Sequence, residues 1–68
     1  MKAWIARDSE PIGGELFIYF NDKPYKADDV WISPNGDFVE LDKSLYPEIQ
    51  WTDDEPTEVE VTIKIKQK

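Results

Sequence analysis

Residues 13–20, GGELFIYF, read as a β-strand that is apolar on both faces. Side chains alternate across a strand, so Leu16, Ile18 and Phe20 point one way while Phe17 and Tyr19 point the other. A chain of 68 residues has material for one core, and at this size folding hides only about 60% of the surface that the unfolded chain exposes. Both faces of the strand therefore need cover, from a folded-back segment, a second subunit or a partner. No other feature of the sequence limits the fold as strongly.

The chain has neither cysteine nor histidine. Disulfides, thiolate-bound metal and the usual zinc ligands are thereby excluded as staples. Aromatic residues take their place: Trp4, Phe17, Tyr19, Phe20, Tyr25, Trp31, Phe38, Tyr46 and Trp51 are spread along the sequence, and each can bury roughly 150–250 Å².

Punctuation along the chain divides it into short strands. Lys2–Arg7 alternates loosely around Trp4 and Ile5, the turn formers DSEPIGG follow, and Glu15–Phe20 returns as the second arm of a hairpin. NDKPYKADD reads as a loop with Tyr25 as its one anchor, because Pro24 cannot donate to a ladder and Asp28–Asp29 favour solvent. Val30–Ser33 and Asp37–Leu41 flank Asn35–Gly36, a pair suited to the positive φ angles of a tight hairpin turn. In DKSLYPEI, Asp42 is a predicted N-cap and Pro47 limits any helix to a single turn. TEVEVTIKIK closes the chain, with Val59, Val61, Ile63 and Ile65 on one face and Glu58, Glu60, Thr62, Lys64 and Lys66 on the other. The expected fold is one all-β domain over residues 1–68: a single small antiparallel sheet or partly open barrel of about five strands with one short helical turn.

Charge and composition narrow the chemistry. Fifteen acidic against eight basic residues give a net charge of −7, the wrong sign for direct nucleic-acid binding, which needs cations to displace counterions. MKAWIARD reaches Arg7 and Asp8 after only four uncharged residues, too few for a signal-peptide apolar region or a membrane span. The expectation is a cytoplasmic protein without a membrane partner. Acid–base or nucleophilic catalysis usually draws on histidine, cysteine or an activated serine or lysine, and Ser9, Ser33 and Ser44 sit in turn or capping contexts without a G-x-S-x-G. Paired carboxylates such as Asp28–Asp29 lack a chain long enough to build a sugar cleft around them. TDDEPTE offers four carboxylates but neither the spacing nor the glycine of a calcium loop. The protein is thus expected to be no enzyme and to hold no cofactor or metal.

The aromatic residues give two readings. If the register sets Trp4, Phe17 and Tyr19 side by side, they form an aromatic face; acidic neighbours such as Glu15 and Asp22 argue against a base-stacking platform. Either the segment Leu45–Trp51 folds over that face as a second layer, or a protein partner or second copy covers it in a homodimer. The predicted contact set is Trp4, Phe17, Tyr19, Trp31 and Trp51, with Arg7 as a polar anchor beside it or in a surface pair with Asp8 or a glutamate opposite.

Taken together, WIARD (residues 4–8), GELFIYFNDKP (14–24), GDFVEL (36–41), SLYPEIQW (44–51) and DDEPTEVEV (53–61) resemble a family of short uncharacterised proteins of gut bacteria and their phages or prophages. The first turn, DSEPIGGE, is longer than the D-x-D-G turn of that family. The resemblance implies an intracellular accessory protein carried on mobile elements, with no known activity. The leading expectation is a non-enzymatic protein-interaction module. The alternative is an acidic DNA mimic that inhibits a nucleic-acid-binding protein through Asp28, Asp29, Asp53, Asp54, Glu55, Glu58 and Glu60.

Overall fold

The computed structural model describes residues 1–62. The Ile63–Lys66 half of the C-terminal alternation, with its lysines, lies outside the described residues. The fold is all-β. Six strands run in order: β1 (Lys2–Arg7), β2 (Leu16–Phe20), β3 (Tyr25–Ala27), β4 (Val30–Ile32), β5 (Phe38–Leu41) and β6 (Thr57–Glu60), with one 3₁₀ turn at Glu10–Ile12. They form two antiparallel sheets, one ordered β5-β2-β1-β6 and the other a β3-β4 ribbon.

The first hairpin forms as its pattern predicts, pairing Trp4 with Tyr19, Ile5 with Ile18 and Arg7 with Leu16. Gly13 and Gly14 close its loop at φ 122° and 63°, angles that side-chain-bearing residues rarely adopt. β5 joins the other side of β2, setting Val39 opposite Ile18 and Leu41 opposite Leu16. β6 joins β1, setting Val59 opposite Ala3. The sheet thus has one face of Ala3, Ile5, Arg7, Leu16, Ile18 and Leu41, and a second of Trp4, Ala6, Phe17, Tyr19 and Phe38.

Each face receives its own cover from the same chain. Ile49, on the segment after β5, buries itself against Ile5 and Leu16, with Ile18, Leu41 and Val59 around them. On the second face, Trp31 of β4 packs with Ala6 and Tyr19, and Phe17 and Trp51 flank them. The segment Leu45–Trp51 therefore does not close the aromatic face as a layer: its Ile49 serves the opposite face and only Trp51 reaches this one.

Three local expectations are corrected. Asn35–Gly36 does not join β4 to β5 as a hairpin; β4 pairs with β3 and β5 with β2. Only Gly36 of that pair takes a positive φ. The Asn35 side chain instead accepts from the Asp37 N–H (2.8 Å) and donates to the Phe20 carbonyl (3.0 Å), turning the chain from one sheet to the other. Tyr25–Ala27 is a strand rather than a loop, because Asp28 takes φ 53° and makes a two-residue turn with Asp29. The helical turn sits at Glu10–Ile12, with Pro11 in its first turn. In 42–49 the Asp42 carboxylate does accept from the Ser44 N–H (2.9 Å), but Tyr46 at φ 49° ends any helical path.

Arg7 holds the first cover in place. Its guanidinium donates five hydrogen bonds, all to backbone carbonyls: Nε to Ile49 (2.7 Å), Nη1 to Gly14 (2.9 Å) and Lys43 (3.0 Å), Nη2 to Leu45 (2.9 Å) and Tyr46 (3.3 Å). Arg7→Ala is expected to lower the unfolding free energy by about 3 kcal/mol, as a charged donor's bonds are lost and carbonyls are left unpaired. Arg7→Lys should recover little of it, because an ammonium lacks the planar fork that reaches several acceptors at once. Urea denaturation followed by tryptophan fluorescence measures both, and a Lys variant as stable as the parent would refute the clamp.

Candidate interaction surface

The structure moves most of the predicted contact residues into the core. Tyr19 (2% exposed), Trp31 (6%) and Trp4 (9%) are buried, so in this chain they cannot present a contact face. For Tyr19 and Trp31 the physical reason is the β3-β4 ribbon against the second face, whose first strand reads as loop in sequence and whose second reads as the arm of a different hairpin. Phe17 and Trp51 are half-buried flanks of the same core. Trp51 stands edge-on to Trp31 (6.3 Å between ring centroids), and the Lys26 ammonium sits 4.4 Å from the Trp51 ring centroid. Arg7 is an anchor for its own chain's carbonyls and makes no ion pair with Asp8.

Asp8 ties the ribbon down. Its Oδ1 accepts the Trp31 N–H at 3.0 Å, while the neighbouring Ser9 N–H donates to the Asp29 carbonyl at 3.1 Å. Burial pushes the Asp8 carboxyl above the usual carboxylate range; the Trp31 bond opposes that rise, and the Glu15 charge adds to it. Burial, and secondarily the Asp8 charge, also raises the Tyr19 phenol, which keeps it neutral.

The predicted acidic set is dispersed into separate jobs. Glu55 pairs with Lys23 (3.0 Å), Glu60 pairs with the Met1 ammonium (2.9 Å), and Asp53 accepts the Gln50 N–H (3.1 Å). Asp28 and Asp29 form the tip of the ribbon, whereas Glu58 lies on β6. Among the described residues, no three acidic groups are arranged to hold a metal ion. No helix there is long and apolar enough to cross a membrane.

Ile12, Tyr25, Leu45 and Tyr46 are exposed at separate places, and one further stretch of open apolar surface is not singled out by the sequence. Phe38 is 46% exposed and Val39 is 55% exposed, on opposite faces of the edge strand β5. Phe38 is anchored by the rings of Phe17 (5.6 Å) and Tyr19 (5.7 Å). Beside it, Met1, Phe20, Val39 and Val61 line a shallow groove of about 550 Å³. The run DFVEL reads as plain alternation in sequence; a signal existed in its phenylalanine and valine being adjacent, since one face of any strand can cover only one of them. Comparison with protein-family models, curated proteins and solved structures finds no match for this chain.

The raised Asp8 carboxyl has a defined consequence for stability. The native state binds the proton more tightly than the unfolded chain, so stability falls as pH rises from the unfolded value, about 3.9, through the raised native one. Asp42 acts with the opposite sign: Ser44's N–H and hydroxyl lower its carboxyl, giving stability that is lost as pH falls through that lowered value. Asp8→Asn keeps an acceptor for Trp31 and is expected to abolish the decline above the ordinary carboxylate range while keeping the loss in stronger acid. Urea midpoints measured across that range test this, and an unchanged pH profile would refute it.

Proposed function

We propose that the protein is a small non-enzymatic interaction module whose contact surface is the strip around Phe38 and Val39. The observation that carries this reading is the half-exposed Phe38 and more than half-exposed Val39 on an edge strand, beside an apolar groove. Singly exposed apolar residues are ordinary on a monomer, but here Phe38 and Val39 adjoin Met1, Phe20 and Val61 in one apolar-lined groove, and contiguous apolar surface is what protein contacts use. The mobile-element setting is the one implied by the resemblance of residues 4–61.

The acidic-mimic alternative has less support, because Glu55, Glu60 and Asp53 are engaged within the chain and Asp28–Asp29 lie on a different sheet from Glu58 and Glu60. Such a mimic needs charges regularly spaced along one face. Affinity capture from the source cells separates the readings. Phe38→Ser and Val39→Ser should each remove a captured protein while unfolding stays cooperative, and Ile12→Ser, at an exposed site away from the strip, should not. Capture that survives both strip variants but disappears in moderate salt would overturn the module in favour of the mimic.

A further inference from the structure

β5 has a free side. It is the outer strand of its sheet, and among the described residues β2 is its one strand neighbour. The Phe20 N–H bonds to the Asp37 carbonyl at 2.9 Å, and antiparallel ladders alternate. Val39 and Leu41 therefore bond inward to β2, whereas Phe38 and Glu40 turn their N–H and C=O groups outward, unpaired. Edges of this kind are templates for another strand, and natural proteins usually blunt them with lysine, proline or a bulge. β5 has none of these three; it is only four residues long and carries one charge, in Phe38-Val39-Glu40-Leu41 bracketed by Asp37 and Asp42, so what limits pairing here is length and negative charge.

The charge along the edge is of one sign. Asp37, Glu40 and Asp42 carry three carboxylates over six residues, and Lys23, Lys26 and Lys43 are each held elsewhere, by Glu55, the Trp51 ring and the Gly13 carbonyl. A second copy fits poorly: antiparallel pairing sets outward residues opposite outward residues, so the two β5–β5 registers of greatest overlap place Glu40 directly opposite, or diagonally across from, its counterpart, and like charges so placed disfavour a ladder.

We propose that β5 takes a cationic, extended peptide segment of a partner protein as an added strand, an inference that rests on the module reading and names its partner's chemistry. Main-chain bonds to Phe38 and Glu40 give affinity, and alternate side chains give selectivity. The complement can be written residue by residue. Cations lie opposite Asp37, Glu40 and Asp42, and apolar residues lie opposite Phe38, Val39 and Leu41. An antiparallel strand of this kind reads Lys-Val-Lys-Val-Val-Lys.

That hexapeptide, acetylated and amidated, is the probe. Titrated into the full chain and followed by amide NMR, it should shift the signals of Phe38–Leu41 and slow hydrogen exchange at the Phe38 and Glu40 amides. Glu40→Lys, at an exposed site, should keep its melting temperature and weaken binding by about fivefold. A probe N-methylated at the residues facing Phe38 and Glu40 should not bind. The inference is overturned by no binding, by equal binding of the N-methylated probe, by shifts centred on Glu58 and Glu60 of β6, or by a dimeric mass without peptide. Failure here with Phe38-dependent capture intact would remove the added strand and leave the module; peptide binding without any cellular capture would do the reverse.

Discussion

The structure depends on two neighbouring side chains, Arg7 and Asp8, that leave the end of β1 in opposite directions. Strand alternation sends Arg7 to the face of Ile5 and Leu16 and Asp8 to the face of Ala6 and Tyr19. Arg7 collects carbonyls from Lys43 to Ile49 and so lays Ile49 on the first face. Asp8 takes the Trp31 N–H and lays the β3-β4 ribbon on the second. A sheet greasy on both sides thus closes in a chain of 68 residues, with a cation holding one cover and an anion the other. The two charges do not neutralise each other, because each points away from its neighbour toward backbone groups that need a partner.

The cover is consequently uneven. Both devices act at the Arg7 end of the sheet, where Leu16 is fully buried and Ile49 nearly so. At the opposite end Met1, Phe20, Phe38 and Val39 are half-buried or exposed among the described residues, and the groove opens among them. Small domains hide a smaller share of their surface than large ones; Ile12, Tyr25, Leu45 and Tyr46 are exposed elsewhere, and at the end away from Arg7 the open residues adjoin one groove. The candidate contact surface is therefore a by-product of where the two covers are fastened.

This division explains what could be read from sequence. The β1-β2 hairpin and the two-faced character of Leu16–Phe20 were legible because alternation and turn formers act over a few residues. The need for two covers was legible too, as a demand without an address. Which segments meet it was not. Asn35–Gly36 is a strong local turn signal, yet Asn35 spends its amide on the Phe20 carbonyl, a partner 15 residues away, and non-local bonds leave no local pattern. Tyr25–Ala27 was misread for the same reason: a short polar ribbon gains its order from Trp31 packing and the Asp8 bond, not from its own propensity. With Tyr25–Ala27 read as loop and Val30–Ser33 as the partner of Asp37–Leu41, no ribbon covers Tyr19 and Trp31, and the contact surface falls on the core rather than on Phe38 and Val39. Arg7 was singled out correctly as a polar residue ending an apolar strand, but its partners are carbonyls, which sequence does not number.

The acidic excess has a role in this setting that net charge alone does not reveal. An open, partly apolar edge invites pairing between copies, and the Glu40 charge on β5 opposes that pairing while leaving the backbone accessible. Lysines would repel a second copy equally well, but they would also repel a cationic partner. In the added-strand proposal the carboxylates would do two things with one set of atoms: disfavour pairing between copies, and bias the vacant edge toward strands of opposite charge. Selectivity of this kind comes as much from the pairing it penalises as from the pairing it favours. It requires no pocket and no catalytic group, and it asks of the fold only that β5 be held straight along β2, which the Val39–Ile18 and Leu41–Leu16 pairs do.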